Sequence, residues 1–346
     1  MSKNVKPYRQ KKVLLDKKMS MVTYALTLIL AVLARISQLQ NNMDFSTGKY
    51  IDDSLAKNGP FWILVIGFIL TFLVMTFGQS RDKVIKSCVL VNPMHLKSDK
   101  LNKKITTKAG PAMFLMAFLT IFDIFLGIST IVNRNKGLST EENPISAFAG
   151  LHAIDWIAYA LSLISAITFI SIGANIMKRE GLSRPNCVII STFSIWKLLQ
   201  IFIMIGNGEV IGVYSEKIYV MLTGMSAAMF FMYVAKFFAG FGKKHTRFWI
   251  CIMGYIASTL AAVSTIPRYV MYFTKEYEEI NRMSIPATSD IALIFATISI
   301  ITVFWGAYEY KNMPKLNLGG KRRWTVTNVI VKQASMSSIE EDNQAH

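Results

Sequence analysis

Two charged side chains sit where their neighbours are almost wholly apolar: Asp123 in "TIFDIFLG" and Lys197 in "FSIWKLLQIF". At the centre of a membrane-spanning helix such a charge costs roughly 2.5–3.5 kcal/mol, so each must be paired, hydrated or discharged. Their opposite signs predict a direct Asp123–Lys197 pair. Counted from the start of their runs, they lie about 13 and about 10 residues in, which puts them within about 5 Å of one another in depth. Such a pair has two uses. It can tie two helices in a fixed register, or it can line a path for a solute or proton, because intramembrane ionisable groups often mark such paths. Two separate, neutral side chains are the remaining outcome.

A second set of polar residues gathers toward the other end of the apolar runs. "LHAIDWIAYA" places His152 and Asp155 about one helical turn apart. Arg35 ends the first run, Arg268 ends the seventh and Asp290 begins the eighth. Together these five could line an outward-opening vestibule. The simpler expectation is that they reach interfacial water, as charges near helix ends usually do.

The elements that must hold these residues are long and apolar. The 346-residue chain is 52% hydrophobic, and eight nearly charge-free runs can be marked at 19–37, 60–79, 110–132, 150–177, 187–206, 218–240, 248–266 and 289–309. About 20 helical residues cross a hydrocarbon core of about 30 Å. None of the runs shows the alternation of a barrel strand. The expected fold is all-α: a polytopic transmembrane bundle of about eight spans over 19–309, a basic N-terminal segment 1–18, and a basic, then polar and partly disordered tail 310–346. A signal peptide is the alternative for the first run, since seven basic residues precede it.

The net charge of +17 does not require nucleic acid. With eight spans and both ends on one side, 28 of the 38 Lys and Arg fall in segments on that side and 9 on the other, Lys197 being the remaining one. This is the positive-inside asymmetry, which predicts cytoplasmic termini and basic loops beside an anionic inner leaflet. No nucleic-acid partner is expected. The basic loop 80–109 and the tail are the candidate docking places for a protein partner.

Small-residue spacing predicts helix contacts. Gly224 and Ala228 in the sixth run, and Gly254, Ser258 and Ala262 in the seventh, predict that these two helices pack together. After Pro267, "RYVMYFTKEYEEINR" is either an amphipathic interfacial helix or a continuation of helix seven. Cys88, Cys187 and Cys251 are too widely spaced for a paired-cysteine site, and His95, His152, His245 and His346 are scattered. No metal or other cofactor is expected. Neither HExxH, GxSxG nor a phosphate-binding GxxxxGK[ST] loop occurs, so no enzymatic activity is expected, and ATP coupling would need another chain. No asparagine begins an N-x-Ser/Thr sequon, which permits a bacterial source and a plasma-membrane location. The functional expectation is a small-solute transporter or permease subunit. The alternative is a membrane scaffold or sensor that docks a cytoplasmic partner.

Overall fold

The computed structural model describes residues 8–44, 49–50, 55–80, 99–136, 153–178, 184–206, 214–238, 246–274 and 288–306. Among them are eight α-helices: α1 (Tyr8–Asn42), α2 (Leu55–Ser80), α3 (Asp99–Lys136), α4 (Ala153–Lys178), α5 (Arg184–Gly206), α6 (Tyr214–Phe238), α7 (Thr246–Thr274) and α8 (Thr288–Gly306). A two-residue antiparallel ladder, Met43↔Tyr50 and Asp44↔Lys49, closes the turn-prone stretch after α1. Six helices are long and apolar enough to cross a membrane; α5 and α8 have shorter apolar stretches, Ile189–Ile205 and Thr288–Ile301.

Two helices start well before their apolar runs. α1 takes in much of the basic N-terminal segment, and α3 takes in Asp99 to Ala109 of the basic loop. Lys, Arg, Gln and Leu are good helix formers, so helix propagates through them although hydropathy marks only the apolar part. α7 runs on past Pro267 to Thr274, so "RYVMYFT" continues helix seven, while 275–282 of the expected amphipathic stretch lies outside the described residues. Pro267 lacks the N–H that would bond to the carbonyl of Val263.

The packing order follows the chain and then closes. α3 packs on α4, α4 on α5, α5 on α6, α6 on α7, α7 on α8, and α8 returns to α3. These six helices therefore form a ring. The α1–α2 hairpin lies against α7 from outside. α7 accordingly has neighbours on three sides, and 78% of its apolar window is buried against 28% for each of α1, α2 and α3.

Small residues set the close approaches. A Cβ on Gly67 would collide with the Thr27 side chain, so α1 and α2 touch nearly backbone to side chain there. Gly110 and Gly173 bring α3 and α4 together, and Gly127 admits Tyr159. α6 and α7 do pack, as the spacing predicts, but the α6 stripe points elsewhere. Gly224 abuts Ile201 and the Lys197 carbonyl on α5, and the Ala228 carbonyl accepts the Ser194 hydroxyl at 2.7 Å. Gly254 of α7 meets Phe230 on α6 and Ile301 on α8.

The bundle differs from a soluble protein in what it exposes and in the hydroxyls it buries within an apolar core. Leu26, Leu33, Ile66, Phe118, Phe125, Ile167, Phe202 and Met232 are exposed, while Thr120, Ser162, Ser194, Thr223, Ser264, Thr265, Ser289 and Thr297 are buried. Apolar surface spread over so many helices points outward into an apolar surrounding. Most buried hydroxyls bond back to a carbonyl one turn earlier, as Thr120 does to Met116 and Thr265 to Ala261. That satisfies them inside their own helix.

Candidate functional site

The first charged residue to place is Lys197. On α5 it follows the aromatic pair Phe193 and Trp196, which belong to a buried edge-to-face cluster with Phe169, Phe230 and Phe231. The Lys197 Nζ donates to Asp290 Oδ1 of α8 at 3.0 Å, with both side chains buried. It also stands 4.7 Å from the Trp196 ring centroid and 5.8 Å from that of Phe193, within cation–π range.

The expected Asp123–Lys197 pair is thus replaced by Lys197–Asp290. The physical reason lies at the start of α8, where Asp123 has other work. The residue before Thr288 is alanine, which has no capping oxygen. Asp123 supplies the cap from α3. Its Oδ1 accepts the Thr288 N–H at 2.7 Å and the Thr288 hydroxyl at 2.6 Å, and its Oδ2 accepts the Ser289 N–H at 2.8 Å. A carboxylate bridging two free amides at a helix N-terminus is favoured by both the hydrogen bonds and the helix dipole. Depth alone does not distinguish the two aspartates as partners for Lys197; the capping demand of α8 does.

This capping also sets where α8 begins. The N-terminus of α8 is held at the level of Asp123, thirteen residues before the end of α3 at Lys136. Tyr269 of α7 lies within electrostatic reach of both Asp123 and Asp290. Residues of α3, α5, α7 and α8 therefore converge on one level of the ring.

The other expected vestibule residues divide. Arg268 and Asp290 are buried, not interfacial, and Arg35 is almost wholly enclosed at 1% exposure. Arg35 bonds to Gln38 and stands 4.5 Å over the Tyr219 ring, which links α1 to α6 outside the ring. Charges near helix ends read as water-facing, but here the α1–α2 hairpin covers this side of α7. Asp155 is half-buried on the first turn of α4, within electrostatic reach of Tyr159, where α4 meets α3. His152 lies outside the described residues.

Sequence reasoning missed the hydroxyls. Ser162 and Ser289 have fully buried Oγ atoms with no hydrogen-bond partner. Gly127 against Tyr159 and Gly110 against Gly173 fix the antiparallel register of α3 and α4, which puts Ser162 within about a turn of the level of Asp123. A serine among apolar residues carries no visible signal of this kind, because most such serines bond to their own helix. Among the described residues, no three His, Cys, Asp or Glu side chains come together as a metal ion would need. No family model, curated protein or solved structure matches the chain, so the residues and their geometry alone define this site.

Proposed function

We propose that the chain is a multi-pass integral membrane protein with eight spans and both termini cytoplasmic, and that it acts as a small-solute transporter or permease subunit, in the setting of a bacterial plasma membrane. The apolar composition of α8 and its packing between α3 and α7 support counting it as a span. The charge asymmetry supports the orientation.

The observation that carries the transport reading is the Lys197–Asp290 pair. A tie whose only task is to fix register would serve best between packed neighbours. α5 and α8 are not packed neighbours in the ring, so this pair reaches across its interior. Asp123, Tyr269 and the two unpartnered serine hydroxyls add polar capacity at the same depth. Buried polar groups left without partners call for water or a ligand.

Cysteine labelling tests this. In a background with Cys88, Cys187 and Cys251 replaced, Ser289→Cys and Ser162→Cys should react with hydrophilic, membrane-impermeant thiol reagents in sealed vesicles. A lipid-facing control such as Phe125→Cys should not. If neither serine position reacts from either side in a folded protein, the pair is dry and transport through the ring is wrong. The scaffold or sensor reading would then gain, with the basic 80–109 stretch and the tail as its docking surfaces.

A further inference from the structure

We infer that the Lys197–Asp290 pair is a binding site for a small zwitterion, a solute of amino-acid type whose carboxylate meets Lys197 and whose ammonium meets Asp290. The inference rests on the transport reading of the same site and names its substrate class.

Hydrogen-bonding capacity is the first reason. An ammonium has three N–H donors and a carboxylate about four acceptor positions. Among the described residues, Lys197 Nζ has one acceptor, Asp290 Oδ1, and Asp290 Oδ2 accepts no hydrogen bond. Ser289 Oγ, adjacent in sequence to Asp290, is buried and unpartnered. The site therefore holds spare donors at its positive pole, a spare acceptor at its negative pole, and next to Asp290 a hydroxyl that can serve as either.

Charge balance is the second reason. The two poles are already desolvated and neutral as a pair. A lone anion or cation placed between them would leave one uncompensated charge in a low-dielectric interior, at a cost of several kcal/mol. A zwitterion replaces one ion pair by two and leaves the net charge unchanged. The Trp196 face, now against the ammonium, can take up an apolar part of the solute as Lys197 turns to the incoming carboxylate.

The test uses the full chain purified in detergent. The probes are an equimolar mixture of neutral L-amino acids and, as single-charge controls, acetate and ethylammonium at the same concentration. The mixture should raise the melting temperature of the parent protein, the controls should not, and the Lys197→Met/Asp290→Asn double variant should show no rise. Ser289→Ala should weaken half-saturation by about two- to tenfold, the effect of one hydrogen bond. A parent protein indifferent to the mixture overturns the inference, as does an equal response to acetate alone. Should the double variant fail to fold, tryptophan emission supplies the second readout. The mixture should change the parent's emission, and Trp196→Phe should remove that change; a parent whose emission does not move also contradicts the assignment. Labelling of Ser289→Cys separates the failures. A labelled but unresponsive protein keeps the transport reading and loses the zwitterion, whereas an unlabelled and unresponsive one loses both.

Discussion

At the residue scale, the pairing with Lys197 that was expected of Asp123 falls to Asp290, and Asp123 has a different task. Asp123 completes the N-terminus of α8 and Asp290 neutralises Lys197. Replacing Asp123 with Asn keeps one acceptor oxygen but turns an N–H donor toward a backbone amide. The expected loss is about 1–2 kcal/mol, the scale of a lost helix cap, seen as a lower melting temperature in detergent; an unchanged melting temperature would argue against capping. Thr288→Ala keeps the two backbone amide bonds to Asp123 and removes the hydroxyl that is shared between Asp123 Oδ1 and the Leu119 carbonyl, which should cost about 0.5–1.5 kcal/mol in the same measurement. Both charges in the apolar runs stood out in the sequence because they are expensive there. Their partners did not, since Lys197 and Asp290 are 93 residues apart and local spacing says nothing about contacts at that range.

At the element scale, glycine placement sets the distances between helices. Gly67→Ala would drive a methyl group into the Thr27 side chain, and should destabilise the α1–α2 hairpin by about 1–3 kcal/mol through overpacking. Gly59, in the same helix, has nothing within 4 Å of its Cβ position. Gly59 precedes Pro60, whose Cδ crowds a preceding Cβ in helical backbone, so Gly59→Ala should be close to neutral, the gain of up to about 1 kcal/mol in helix propensity being offset by that crowding. Paired thermal melts of the two variants check this, and similar losses at both sites would count against the close approach. Helix existence was readable because runs of about twenty apolar residues have one economical solution in lipid. The helix starts at Tyr8 and Asp99 were not, because hydropathy is blind to helix outside the apolar layer. The α6 stripe was visible as a face, but a period of 3.6 residues does not name the neighbour that covers it. α5, and not α7, took Gly224.

At the scale of the whole molecule, the six-helix ring buries hydroxyls and the Lys197–Asp290 pair within a mainly apolar core and also carries large apolar side chains on its outside. Ring closure through the α8–α3 contact joins elements far apart in sequence, and no local pattern encodes it. The overall charge asymmetry was legible, and it makes a topological prediction. A fluorescent protein fused after residue 346 should fluoresce, and alkaline phosphatase fused near residue 145 should be active, because the proposed orientation puts the first on the cytoplasmic side and the second outside. The reverse pattern would contradict the orientation.

The central claim is that Lys197 and Asp290 form the polar link across this ring, and a double-mutant cycle on melting stability tests it most directly. Lys197→Met and Asp290→Asn should each destabilise the protein by about 3–5 kcal/mol, because each leaves a buried charge uncompensated, while the double variant should recover most of that loss. If the two losses simply add, or if Lys197→Met is rescued by Asp123→Asn instead, the pair is not the one described and the site must be redrawn around Asp123.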